Sequence, residues 1–235
     1  MKNLKIVSRY LVLVLMAVIL KTGSGSANTF ILGDKRDLSS YNQLELEGAF
    51  EVTLVQGNEE SVIVEAAPEV ASLIITKVEG GTLKIYPDKK LNSNSKIALT
   101  INFKTLKAID CSGAIDITGS GAMKFEELSF DASGACKATL EINATSLHMD
   151  ISGAGKTTFS GKVSQVNLDI SGAGKFMAAS LEADSYDIDI SGSGNAEVNA
   201  AKMLDVEVSG SGNVKYTGNP KISQDISGTG QVIKM

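Results

Sequence analysis

The sequence predicts an all-β protein: a right-handed parallel β-helix, or β-solenoid, with coils of about 18–21 residues and a strand-rich capping region before them. Three observations carry this reading: a recurring Ser-Gly phrase, a two-residue alternation leading into each copy, and a composition suited to narrow coils. The phrase is clearest at Asp150-Ile151-Ser152-Gly153-Ala154-Gly155, Asp169-Ile170-Ser171-Gly172-Ala173-Gly174 and Asp189-Ile190-Ser191-Gly192-Ser193-Gly194. Weaker copies stand at Asp110-Cys111-Ser112-Gly113, Asp131-Ala132-Ser133-Gly134, Glu207-Val208-Ser209-Gly210-Ser211-Gly212 and Asp225-Ile226-Ser227-Gly228-Thr229-Gly230. Their serines are spaced by 21, 19, 19, 20, 18 and 18 residues, a near-constant period that means stacked supersecondary units.

Within one copy, Val166, Leu168 and Ile170 alternate with Asn167, Asp169 and Ser171. Such a period of two marks a strand with one buried face. The glycines end that strand, because glycine accepts φ > 0 and turns a corner without a Cβ clash. A second short strand, such as Asn195 to Ala200, leads to the next corner. At ~3.3 Å per residue each repeat spans about 60 Å of contour, enough for one coil of two or three short strands but too little for a strand-helix-strand unit. The twist rule for parallel connections supplies the right hand. A meander of antiparallel hairpins is the rival arrangement.

Hydrophobic residues make up 43% of the 235-residue chain, yet aromatics are 5% and tryptophan is absent. The core must therefore come from Ile, Val, Leu and Ala. Only three prolines interrupt the supply of ladder donors.

The N-terminus reads as a signal peptide over residues 1–27. Lys2, Lys5 and Arg9 form a basic start, Leu11 to Leu20 is an unbroken apolar run, and Gly25 and Ala27 offer small residues at a cleavage site. The run falls short of the ~20 residues of a membrane span, so no span is expected after cleavage. No cysteine follows it to carry a lipid anchor. Cleavage after Ala27 leaves 18 basic against 27 acidic residues, a net charge of −9. That balance argues against nucleic-acid binding, which rests on basic patches. Cys111 and Cys136 lie four positions out of phase in the repeat and are expected as unpaired, partly buried thiols.

In chain order, residues 28–40 read as a loose, flexible mature N-terminus, residues 41–105 as a strand-rich part, and residues 106–235 as the repeats, continuous with it. Phe50, Val52 and Leu54, the turn at Gln56-Gly57-Asn58-Glu59, and Val62 and Val64 read as a hairpin. Pro68 opens a short helical turn. Ile75 and Val78 lead through Glu79-Gly80-Gly81-Thr82 into a second hairpin ending at Tyr86. Residues 88–96 read as a loop, and Ile97, Leu99, Ile101 and Phe103 as a strand. The first half lacks the Ser-Gly phrase and is expected to cap one end of the coil.

Phe50-Glu51-Val52-Thr53-Leu54-Val55-Gln56-Gly57, then Val62-Ile63-Val64-Glu65-Ala66, then Gly81-Thr82-Leu83-Lys84-Ile85, followed by repeated Ser-Gly-x-Gly, resembles the auto-transporter adhesin head GIN domain family of exported Bacteroidota proteins. The resemblance spans roughly residues 40–230. It implies a β-helical fold and a place outside the cytoplasm, in the periplasm, at the outer-membrane surface or beyond. The family offers no catalytic or binding residue to carry over.

No chemistry-bearing constellation completes itself in the sequence. Gly153-Ala154-Gly155-Lys156-Thr157 resembles the end of a phosphate loop, but the glycine required five residues before the Gly-Lys pair is Asp150. His148 is the only histidine, and no Gly-x-Ser-x-Gly turn accompanies it. Asn143-Ala144-Thr145 matches a glycosylation sequon by coincidence. The acids before each Ser-Gly (Asp110, Asp131, Asp150, Asp169, Asp189, Glu207 and Asp225) should stack about 4.8 Å apart. A solvated acidic stripe is expected of them, with a Ca²⁺-binding ladder as the alternative. No catalytic, cofactor or metal residue is assigned.

The expected function is that of an exported, non-enzymatic cell-envelope or surface protein, presenting a solenoid face for adhesin-like binding of a protein or glycan. A β-helix enzyme acting on polysaccharide and a purely structural envelope spacer are the alternatives. Asp225 to Met235 form the last phrase with no lid after it, residues 222–235 are expected to be the least protected part of the coil, and weak self-association is expected there.

Overall fold

A computed structural model of the chain describes residues 33–91 and 97–235. Residues 1–32, including the expected signal peptide, and residues 92–96 of the expected loop lie outside the described residues. The first part holds β1 (Asp34–Asp37), β2 (Gln43–Gln56), β3 (Ser61–Glu65), the short helix α1 (Pro68–Ala71), β4 (Ile74–Glu79), β5 (Thr82–Pro87) and β6 (Ala98–Phe103). The repeats supply β7 (Ala108–Lys124), β8 (Glu127–Gly134), β9 (Lys137–Gly153), β10 (Lys156–Gly172), β11 (Lys175–Gly192) and β12 (Asn195–Gly210). The last turn is β13 (Asn213–Gly218), β14 (Lys221–Gly228) and β15 (Gln231–Lys234).

From β7 onward every pairing between neighbouring strands is parallel, which excludes the meander and establishes the solenoid. The register locks the repeats together at their serines: Ser112, Ser133, Ser152, Ser171, Ser191, Ser209 and Ser227 are successive partners. Where coils of two or three short strands were expected, β9 to β12 each run for 16–18 residues, and at some bends their pairing shifts register, as between Ala178 and Glu182.

Inside the coil, side chains stack in columns. Leu44, Ile109, Phe130, Met149, Leu168, Ile188 and Val206 form one, and Leu46, Cys111, Ala132, Ile151, Ile170, Ile190 and Val208 the next; all are buried. Each large aliphatic member contributes about 1.5–3 kcal/mol through burial. Three of the few aromatics meet across rungs: Phe130 and Phe159 edge to face at 5.8 Å, and Phe159 and Phe176 at 5.9 Å. The first column ends at Gln224, which is exposed on the last rung together with Ile222 and Ile233.

The two glycines of the phrase are needed for different reasons. Gly172 has φ +117°, a conformation closed to ordinary side chains, and a Cβ there would sit 2.9 Å from the Gly153 carbonyl of the rung below. Gly174 has no such backbone requirement. A Cβ on it would lie 2.5 Å from Cγ2 of Ile151, so the core itself demands glycine there.

Three expectations for the first part are corrected. Residues 34–37 are not loose: β1 pairs antiparallel with β3, Asp34 opposite Val64 through Asp37 opposite Ser61. The hairpin of Phe50–Leu54 with Val62–Val64 does not form. β6 lies between those strands, parallel to β2 and antiparallel to β3. Apolar alternation marks a strand's buried face without choosing its neighbour, and Leu99 and Ile101 of β6 match Val52 and Leu54 as well as β3 would. Finally, the first half does contain a rung. β2 pairs in parallel with β7 from Gln43 to Leu54, aligning Glu45, Leu46, Glu47 and Gly48 with Asp110, Cys111, Ser112 and Gly113. Glu45-Leu46-Glu47-Gly48 is thus a further copy of the phrase, with Glu47 in the serine position and Gly48 at φ +134°. The second hairpin forms as expected, β4 to β5 through Gly80 and Gly81 at φ +60° and +82°, and so does the short helix opened by Pro68.

Candidate functional site

Alternation in the strands between the core columns sends every other residue outward on the Ser-Gly side of the coil. One outward column is Glu45, Asp110, Asp131, Asp150, Asp169, Asp189, Glu207 and Asp225. Two residues further along runs the serine column, from Ser112 to Ser227. Two residues earlier stand Ser129, His148, Asn167, Asp187, Asp205 and Ser223. The sequence-predicted stack of acids is therefore in register along the whole solenoid, flanked on both sides by hydroxyl, amide and further carboxylate groups. His148 faces solvent within this sheet.

Charge on this face differs from charge elsewhere on the coil. On the other sides acids meet lysines of adjacent rungs: Lys137 with Asp116 at 2.8 Å, Lys162 with Glu182 at 3.1 Å, Lys202 with Asp184 at 3.1 Å and Lys215 with Glu197 at 3.7 Å. Among the described residues, no lysine or arginine pairs with any of the seven acids from Asp110 to Asp225. Partial burial holds the Asp110 carboxyl above the ordinary range, and the nearby Asp131 and Glu45 add to it. Burial does the same at Asp187 and Asp189, reinforced by the carboxylates around them. At these three positions burial comes first and the like charges around them add to it.

A shallow hollow of about 210 Å³ lies at the C-terminal end of this face, lined by Asp189, Ser191, Glu207, Ser209, Asp225 and Ser227 among others. That is below the ~300–1,000 Å³ of pockets that enclose a small-molecule ligand. Among the described residues, no three His, Cys, Asp or Glu side chains converge as a metal site. The phosphate-loop likeness dissolves into the repeat. The N–H groups of Ala154 and Lys156 donate to the carbonyls of Gly134 and Cys136 on the rung below, and Thr157 is buried in the core.

Cys111 and Cys136 are free thiols in this structure, as expected, but they are fully buried and face each other, which their phase along the repeat did not suggest. Their sulfurs lie 2.7 Å apart. Phase along the repeat misleads here because the Ser-Gly corner intervenes. A residue just before the serine and one three places after it both point inward, from the two walls that meet at that corner. Cys111 Sγ also lies 3.4 Å from the Asp131 carbonyl, to which it donates, and the partner thiol together with burial pushes the Cys111 thiol far up.

Fold and face together define a β-solenoid that displays an open, ordered ladder of carboxylates and hydroxyls. The chain belongs to the family described as "Putative auto-transporter adhesin, head GIN domain", whose model matches residues 40–220. Solved structures share the fold. A Bacteroides fragilis protein described as a putative adhesin is 22% identical, with a TM-score of 0.83 over 87% of this chain and 96% of that one. A second such adhesin, from Parabacteroides distasonis, is 22% identical with a TM-score of 0.72 over the same shares. Another Parabacteroides distasonis protein, described as a putative lipid binding protein, is 24% identical with a TM-score of 0.69, again over 87% and 96%. No curated protein matches the chain. Among the described residues no helix is long and apolar enough to cross a membrane.

Proposed function

We propose that the protein is an exported, non-enzymatic binding protein of the cell envelope or cell surface, and that the acid and serine columns are its contact face. The observation that carries this reading is the asymmetry of charge pairing. Four acids on the other sides of the coil pair with lysines one rung away, whereas among the described residues none of the seven acids from Asp110 to Asp225 pairs with a lysine or arginine. Repeated carboxylates and hydroxyls at the ~4.8 Å rung spacing suit a partner that offers many hydrogen-bond donors, such as the hydroxyls of a glycan or the Lys and Arg side chains of a protein. The family's description as an adhesin supports binding at a surface, and the basic and apolar start of the sequence supports export.

The test is capture from cell-envelope extract and a glycan array, each run with the natural chain and with the triple variant Asp150→Asn, Asp169→Asn, Asp189→Asn. Binding by the natural chain that falls at least tenfold in the variant is expected. Equal binding by both would move the contact surface to another side, and hydrolysis of a bound glycan would favour the polysaccharide-acting enzyme.

A further inference from the structure

Cys136 occupies the place of the second glycine in the phrase. Its carbonyl accepts from Lys156 N–H as the Gly155 carbonyl accepts from Lys175 and the Gly174 carbonyl from Asn195. In the later rungs that glycine faces a β-branched residue of the preceding rung: Gly174 faces Ile151, Gly194 faces Ile170, Gly212 faces Ile190 and Gly230 faces Val208. A Cβ added to those glycines would lie 3.4, 3.2, 3.4 and 3.5 Å from the Cβ of its opposite residue. Disulfide-bonded cysteines keep their Cβ atoms about 3.5–4.5 Å apart. The corner thus presents two inward Cβ vectors at nearly the right separation, and in these four rungs the chain resolves the crowding by deleting one side chain. At the first repeat it does something else. The β-branched member is replaced by Cys111 and the glycine by Cys136, both at once, and the two side chains meet in the core.

We infer that Cys111 and Cys136 form a disulfide that staples the first Ser-Gly rung to the second. The bond spans the junction where β7 pairs with both β8 and β9 and where its register to β9 shifts between Thr118 and Ala122. The oxidant is a small-molecule or protein disulfide. One thiol, deprotonated, attacks it and expels a thiolate; the second displaces the mixed disulfide and expels another. Two electrons and two protons pass to the oxidant, which leaves as two thiols. Because both sulfurs are buried in the finished coil, the exchange accompanies folding. An exported chain would meet such an oxidant, but the inference about the pair is tested without relying on export.

The full chain is reduced, unfolded in urea and refolded in mixtures of oxidised and reduced glutathione. Free thiols are then alkylated in denaturant and the cysteines mapped by mass spectrometry. The expected product carries no alkyl label, yields a linked Cys111–Cys136 peptide, and melts ~10 °C above the reduced chain. Recovery of both cysteines alkylated, or each capped by glutathione, across mixtures rich in oxidised glutathione would overturn the inference. The paired variant Cys111→Ile with Cys136→Gly restores the arrangement of the later rungs. Its melting should ignore reductant, and a reductant-sensitive transition in it would also count against the staple. The peptide map stands even where the variant fails to fold.

Discussion

The regular rungs β9 to β12 and the first part, β1 to β6, are joined in one sheet but are held together by different means. Among the rungs nearly every cross-contact is a backbone ladder bond or an apolar side chain resting on its equivalent one turn away. The first part depends on contacts made once. Arg36 donates from its guanidinium to the carbonyls of Ile74 and Ala71, to Thr76 Oγ1 at 3.1 Å and to Asp34 at 2.9 Å, pinning β1 over α1 and β4. Tyr41 donates to the Asn102 carbonyl at 2.8 Å, Asn102 donates to Ser61, and Glu60 accepts from Lys104 at 2.7 Å and from Ser40 at 3.1 Å. A repeated unit can be specified by geometry that every copy shares. A mixed parallel and antiparallel cap has no copy to lean on and must be specified residue by residue.

Removing shared geometry should therefore do the most damage. Gly172→Val places a β-branched side chain at φ +117° and against the Gly153 carbonyl, and should cost more than about 2 kcal/mol. Ala173→Ser, one residue on, should be near neutral, since Ser193 and Ser211 hold that place in later rungs and Ala173 is exposed. Urea denaturation reads both. A midpoint unmoved by Gly172→Val would mean that the corner tolerates a side chain and that the rungs are not held by their corners.

A smaller and more local loss is expected from Arg36→Met, which keeps much of the stem and removes the donors. It strips the Ile74 and Ala71 carbonyls of a charged partner and should cost about 1–3 kcal/mol. Hydrogen exchange should accelerate in β1 and the segment around α1 while β9 to β12 stay protected. Acceleration spread evenly over the rungs would break the proposed division between the two parts.

That division also explains how far the sequence could be read. Alternation at Val166-Leu168-Ile170 and the Ser-Gly period were enough for the parallel coil, because register follows once the same pattern recurs. The acid ladder was legible for the same reason. The copy at Glu45-Leu46-Glu47-Gly48 escaped notice because Glu47 replaces the serine and Phe50 stands where the second glycine would be. Its signal was the alternation Leu44-Glu45-Leu46 ending at a glycine. Partner choice in the cap was not legible: β3 and β6 show the same apolar alternation, and only three-dimensional packing puts β6 beside β2. The cysteine contact was missed because counting along the repeat ignores the corner between the two residues.

The smallest effect concerns the ladder itself, where regular stacking works against stability. Asp189 is held above its ordinary value of 3.8 by partial burial first, then by Asp169 and Asp205. For an acid whose folded pKa exceeds its unfolded one, the folded state binds the proton more tightly. Stability then falls as pH rises from the ordinary value through the raised one, and the penalty persists at neutral pH. Asp189→Asn keeps the shape and removes the charge, so it should raise the urea midpoint at pH 7. The gain should stay below about 1 kcal/mol because Asp189 is solvent-exposed and screened. At pH 3, where the natural carboxyl is itself protonated, the variant and the natural chain should coincide. Salt should shrink the difference at pH 7. A variant less stable than the natural chain at pH 7 would show that Asp189 is engaged by a favourable partner in the folded coil, and one equally more stable at both pH values would show that the gain does not come from its charge; either would break the picture of a strip of mutually repelling charges.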